Sequence, residues 1–215
     1  MKRIEKWYIT NIRGKNDVKK WLSTFYSSDN KDLIILAGEC SIKSMCRSNH
    51  VSYLWRFNYQ ETITTILNKI NDTKLWVEPT GIPINSFEEL YDYVYKTINT
   101  PKIKYIGQLV VYDICIRLVL FWGHLNLMPK EYVYIHALPK RAYYRLVKEG
   151  ILKKIVFTQG RIKMTDFTLY FPNLRADEIE DLLCWIGKAI RILDKGSSKI
   201  SIANILNEIN KLYKA

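Results

Sequence analysis

Side chains that can move a proton, hold a metal or grip an anion are the first places to look for chemistry, and this sequence offers a few of each. Asp113 lies in an otherwise apolar stretch, and His136 follows it further along. A carboxylate that orients an imidazole makes a general base, so Asp113 and His136 form the candidate site of an unassigned enzyme. Asp113 has a local alternative. A buried lone carboxylate is costly, and Arg117 at i+4 could close an ion pair with it on one helix face. Glu178, Glu180 and Asp181 could supply further acids, although acids in a first helical turn are already explained by the helix dipole. Cys40 and Cys46 could meet His50 at a metal, but no fourth ligand follows at zinc-finger spacing. The sequence contains no P-loop, no nucleotide-binding glycine fingerprint, no Gly-x-Ser-x-Gly elbow and no His-Glu-x-x-His. No metal or cofactor is expected, and no named reaction emerges.

Anion chemistry is better represented. The 215 residues carry 33 Lys and Arg against 21 Asp and Glu, a formal charge of +12. A field of that sign favours polyanions. Twenty-three of the basic residues are Lys and ten are Arg, whereas readout of base edges leans on Arg. That ratio weighs against nucleic acid as the reason for the charge. The charge is also concentrated. Between His136 and Thr165 stand Lys140, Arg141, Arg145, Lys148, Lys153, Lys154, Arg161 and Lys163, with Glu149 the single acid. Arg141, Arg145 and Lys148 recur at i, i+4 and i+7, which puts them on one helical face that could lie along a phosphate backbone. Tyr143 and Tyr144 are interleaved with them. A competing reading exists, because Lys, Ile, Asn and Tyr together are what an AT-rich genome yields unselected. On that reading the protein is a scaffold that binds protein partners or a second copy of itself.

The elements that must position these residues are mostly helical. Trp7 to Ile12 reads as a strand, followed by a turn at Gly14 to Asp17 and a helix from Val18 to Tyr26. Leu33 to Ala37 is a short apolar run, and Tyr59 to Ile70 is a helix with Ile63, Ile66, Leu67 and Ile70 apolar. Pro79, Gly81 and Pro83 mark a break. Ser86 and Glu89 form a capping box for a helix from Phe87 to Ile98, with Leu90, Tyr93, Val94 and Ile98 on one face. A hairpin-like segment at Ile103 to Gly107 leads into a helix from Leu109 to Trp122, which Gly123 stops. Pro139 opens a helix reaching Lys148, closed by Gly150. Ile155 to Met164 reads as a hairpin turning at Gln159-Gly160. Asp177 to Leu193 is a strong helix, and Ile200 to Lys214 is a final amphipathic one.

The segment Ile103-Lys104-Tyr105-Ile106-Gly107-Gln108-Leu109-Val110-Val111 resembles the helix-hairpin-helix motif of non-specific DNA-binding proteins. Gly107 takes the place of the motif's second glycine, Ile106 precedes it suitably, and Val111 takes the small packing position. Tyr105 stands where the motif has its first glycine. The resemblance spans residues 103–120. It implies that backbone N–H groups at a helix N-terminus hold a phosphate oxygen, with Lys104, Gly107 and Gln108 at the contact. DNA glycosylases often share this hairpin, but the position of their catalytic Lys is Gln108 or Leu109 here, and Leu125 to Met128 lacks their downstream carboxylate. The run from Tyr144 to Leu152, with Arg161 and Lys163 beyond it, looks like the recognition helix and wing of a winged-helix module. The chain is also similar to uncharacterised bacterial proteins sharing its segments Ile106 to Asp113, Val133 to Ala137 and Glu178 to Cys184.

These readings converge on a mainly α protein with a few short β-strands, a compact helical domain containing a helix-hairpin-helix-like corner. One domain is expected over residues 1–195, divided into an N-terminal part (1–80) and a helical core (81–195), with a helical tail at 196–215. Cys115 and Cys184 lie in apolar helical runs and read as core residues. No apolar core follows the first residues as a signal peptide would require, and the stretch Ile106 to Trp122 is interrupted by Gln108, Asp113 and Arg117. A cytoplasmic protein with no membrane span is expected, with nucleic acid as its partner and DNA ahead of RNA.

Overall fold

The computed structural model describes residues 1–13, 68, 84–99, 107–157, 160–194 and 200–214. Among them are six helices: α1 (Lys2–Asn11), α2 (Phe87–Asn99), α3 (Gln108–Trp122), α4 (Ala137–Lys148), α5 (Ala176–Leu193) and α6 (Ile202–Lys214). Strand β1 (Tyr132–Tyr134) pairs antiparallel with β2 (Arg161–Lys163), in the register Tyr132 to Lys163, Val133 to Ile162 and Tyr134 to Arg161. The fold is mainly α with short strands, as the sequence predicts. The turn at Gly14, the helix at Val18–Tyr26, the run at Leu33–Ala37, the helix at Tyr59–Ile70 apart from Asn68, the break at Pro79–Pro83 and the hairpin residues 103–106 lie outside the described residues.

The chain divides into two compact units, one of Met1–Lys15 with Pro129–Ala215 and one of Asn16–Met128. In the second unit, α2 begins as its capping residues dictate. Ser86 Oγ accepts the Glu89 N–H at 3.1 Å, and the Glu89 carboxylate accepts the Asn85 N–H at 2.6 Å. Phe87, Leu90, Tyr91 and Val94 are buried. Tyr91, rather than the expected Tyr93, completes this face, and its hydroxyl donates to the Gln108 carbonyl at 3.2 Å. In α3, Val111, Tyr112, Ile114, Cys115, Leu118 and Val119 are buried. Burial pushes the Cys115 thiol well above its usual range. Gly123 ends the helix with a φ of 75°, a backbone setting that suits glycine.

The first unit is built around α5. Every residue from Ala176 to Gly187 is buried. A helix surrounded on all sides ordinarily carries apolar residues all round, yet Asp177, Glu178, Glu180 and Asp181 are buried here too. Buried carboxylates require partners. Arg13 meets Glu178 through a two-pronged contact, Nε to Oε1 at 2.6 Å and Nη2 to Oε2 at 2.5 Å. Glu178 Oε2 also accepts the Arg175 N–H at 2.8 Å, closing the start of α5. The Arg175 guanidinium grips Asp177 at 3.0 and 3.1 Å. Tyr8 donates its hydroxyl to Asp181 at 2.8 Å, and Cys184 donates to Glu180 at 3.5 Å. These hydrogen bonds to carboxylates raise the affinity of Arg13 and Arg175 for their protons.

The expected strand at Trp7–Ile12 is instead the second half of α1, with Ile12 the residue that follows the helix. Trp, Tyr, Ile and Thr favour strands only weakly, and tertiary packing overrides such preferences. Ile4, Trp7 and Tyr8 recur at helical spacing and enter the core. Trp7 packs edge-on against Trp185 and Tyr213 with centroids 5.9 and 5.8 Å away, and its indole N–H donates to Asn210 at 2.6 Å. Ile205 and Ile209 of α6 join the same cluster. Glu5, also buried, accepts the Asn173 N–H at 2.8 Å.

Helix α4 lies tightly against α5. A Cβ on Gly187 would stand 2.6 Å from the Leu138 carbonyl oxygen. Further along, Arg145 of α4 reaches Asp194 at the end of α5. Seven residues separate the two contacts on each helix (138 to 145, 187 to 194), so the helices run broadly in the same direction. Gly150 ends α4 with a φ of 69°, its N–H donating to Val147 at 3.0 Å while that of Ile151 donates to Leu146 at 2.9 Å. This is the Schellman closure that a glycine beyond a helix end provides.

Gly187→Ala should lower stability by about 1–3 kcal/mol, the range for overpacking, despite alanine's higher helix propensity. A denaturant melt in which Gly187→Ala matches or exceeds the parent protein would contradict the close approach. Arg13→Ala should cost about 2 kcal/mol in the same assay. That is less than the roughly 3–5 kcal/mol lost when a fully buried pair is broken, because the Arg13 side chain is 34% exposed.

Candidate nucleic-acid interface

The solvent side of α4 carries Lys140, Arg141, Tyr144 and Lys148, all exposed. The opposite side buries Ala142, Tyr143 and Leu146. The basic residues divide by type. Arg141 pairs with Asp194 at 2.9 Å. Arg145, only 25% exposed, pairs with Glu149 at 3.1 Å and reaches the same Asp194 at 3.8 Å. These two arginines fasten α4 to the end of α5. Among the described residues, no ion pair engages Lys140, Lys148, Lys153 or Lys154.

Tyr143 brings the second half of this surface to the first. Its hydroxyl accepts the Ile155 N–H at 2.5 Å and faces the Ile155 and Lys153 carbonyls at 3.2 and 3.4 Å. The Lys153 N–H donates in turn to the Tyr170 hydroxyl at 3.0 Å. Burial is the main reason the Tyr143 hydroxyl holds its proton above the usual range. Held this way, segment 153–157 runs beside α4, and Phe157 meets Tyr143 and Tyr144 with ring centroids at 4.9 and 5.6 Å. Lys153, Lys154 and Val156 of this segment are exposed.

Residues 155–157 are not a strand, so the hairpin expected at Ile155–Met164 does not form as predicted. The partner of Arg161–Lys163 is β1, which precedes α4. The main-chain groups near Ile155 are engaged by the Tyr143 hydroxyl. A wing built from the two arms of one hairpin is thus absent from the described residues. Arg161 lies over the Tyr134 ring at 5.4 Å, and Lys163 is exposed.

The remaining candidates are dispersed. Gly107 and Gln108 are exposed at the start of α3, where the Val111 N–H donates to the Gly107 carbonyl at 3.4 Å. A Cβ on Gly107 would meet nothing within 4 Å. Lys104 lies outside the described residues. Gly107, Gln108 and Asp113 belong to the unit of Asn16–Met128, whereas His136, α4 and β2 belong to the other. Asp113 and His136 are both buried, His136 as the residue preceding α4. Neither unit by itself holds both, and the side chain of Arg117 is outside the described residues, as are Cys40, Cys46 and His50. No cluster of His, Cys, Asp and Glu among the described residues could hold a metal. No described helix is long and apolar enough to cross a membrane.

The roles of Glu5, Arg13, Tyr143 and Phe157 escape sequence reasoning. The pairing Tyr143-Tyr144 at the inner and outer sides of one helix is the single local signal that could have pointed to the pinned segment. No protein-family model, curated protein or solved structure matches the chain.

Tyr143→Phe should cost about 1–2 kcal/mol, the scale for losing a buried hydroxyl's hydrogen bonds, and should expose residues 153–157. Hydrogen exchange would read this as faster exchange at the Ile155 amide. Parent-like protection there would remove the assigned role of the hydroxyl.

Proposed function

We propose that this protein binds nucleic acid without reading its sequence, gripping the phosphate backbone through the exposed lysines on and beside α4. The observation that carries the reading is the state of four cations. Lys140, Lys148, Lys153 and Lys154 are exposed, and no described carboxylate neutralises them. An ammonium on a long flexible stem suits a phosphate as a point charge, and release of counterions from the polyanion drives such binding. Arg161 and Lys163 lie in the same unit and would extend the contact. The start of α3, at Gly107 and Gln108, is a second phosphate grip on this reading, with the N–H groups of its first turn as donors.

Arg141 and Arg145 take a different part from the one their spacing predicts. Both are engaged by Asp194, so their first duty is to hold the helix that presents the lysines. Arg145→Glu would leave Arg141 alone in that fastening and set a third carboxylate beside Glu149 and Asp194, and is expected to lower stability as well as affinity.

The test is a titration of a labelled mixed-sequence duplex, and of one of its strands, at two salt concentrations. Affinity should fall steeply with salt. Lys140→Glu/Lys148→Glu should weaken binding more than tenfold at low salt and reduce the salt slope by about two, at roughly 0.9 per phosphate contact. No binding of either probe at low salt, or a double variant that binds like the parent protein, would sink the reading.

A further inference from the structure

The lysines do not stand alone on this surface. Tyr144 is 51% exposed on α4 and Val156 is 86% exposed in the segment beside that helix, two large apolar side chains close to the lysines in sequence. A solvated basic face has no need of either. Tyr144 lies between Lys140 and Lys148 at spacings of four residues, so the three form one stripe about 12 Å long on α4. The ring is backed by Phe157, whose plane is inclined to it by 34°. Phe157 is itself held by the edge-on contact with Tyr143 at 4.9 Å. The Tyr143 hydroxyl fixes the main chain at Ile155. The aromatic platform is thus built in, with an inner tyrosine fastening the segment that supports the outer one.

We infer that this surface takes a single strand of nucleic acid, with a base stacked on Tyr144 while Lys140, Lys148, Lys153 and Lys154 hold the flanking phosphates. The inference rests on the phosphate-gripping reading above and adds the part that the bases play. A duplex hides its base faces inside its own stack and offers Tyr144 only its backbone. An unpaired strand offers a π-face at every nucleotide, and stacking on an aromatic side chain tolerates any base. A polyanion with regularly repeated charges matches lysines distributed on both sides of an aromatic ring, and unpaired bases account for the ring itself.

The experiment uses three labelled probes at one low salt concentration: a 20-mer of thymidine, an abasic strand of the same length, and a 20-base-pair duplex. The abasic strand keeps the phosphates and loses the faces. The thymidine strand should bind about five- to a hundredfold more tightly than the abasic strand, the range that one or two stacked bases give. Tyr144→Ala should bring that ratio close to one, and Tyr144→Trp should restore it. Because Tyr144 is half-exposed, a melting curve on each variant separates lost stacking from lost structure. A ratio near one in the parent protein, a ratio that survives Tyr144→Ala, or a preference for the duplex would overturn the single-strand inference while leaving the phosphate grip standing. Failure of all three probes to bind would overturn both.

Discussion

Burial of four carboxylates in the first turns of α5 is the constraint around which the first unit is organised. Each of Asp177, Glu178, Glu180 and Asp181 leaves water when α5 is enclosed, and a buried charge without a partner is among the costliest defects a core can hold. The answers come from both sides of the chain. Arg175 supplies one fork from the residue immediately preceding the helix. Arg13 supplies the other, and Tyr8 a hydroxyl, from the opposite end of the sequence. These polar contacts define the register in which α1 docks, because a slip along the helix would leave Glu178 and Asp181 without the donors they meet. The apolar contacts of Ile4, Trp7 and Tyr8 then fill the space so defined.

Around α4 and the start of α5 the cations divide by chemistry. Guanidinium groups are planar and pre-organised for carboxylates, whereas ammonium groups are compact and strongly hydrated. Arg13, Arg141, Arg145 and Arg175 are all engaged with carboxylates, while the lysines on and beside α4 face water. Stability and the outward positive field therefore draw on different residues. That division explains how a chain with a charge of +12 avoids concentrating its repulsion in the core. The positive charge that would oppose folding is kept on flexible stems at the surface, where solvent and salt screen it.

How much of this could be read in advance depends on the range of the interaction. Signals confined to one turn were legible: Ser86 with Glu89 at the start of α2, Gly123 and Gly150 at helix ends, and the apolar runs that place Cys115 and Cys184 in buried positions. The helix at the start of the chain was not, because Trp7, Tyr8, Ile9 and Thr10 favour a strand locally and only partners in α5 and α6 select the helix. The partners of the basic residues on α4 were not legible either. Spacing put Arg141, Arg145 and Lys148 together, whereas Asp194, far along the chain, engages the two arginines. The Tyr143 hydroxyl was invisible for a different reason. It bonds main-chain groups, which every residue possesses, so no sequence pattern announces it.

The discontinuity of the first unit has a consequence in time. Arg13 and Glu178 are 165 residues apart and Tyr8 and Asp181 are 173 apart. At a synthesis rate of about 5–20 residues per second, roughly 10 to 30 seconds pass between the appearance of α1 and that of the carboxylates it serves. Through that interval the whole of Asn16–Met128 is made while Ile4, Trp7 and Tyr8 wait without their core. A helix of ten residues is marginal by itself in water, so α1 is a late element of the fold although it precedes α5 in the chain.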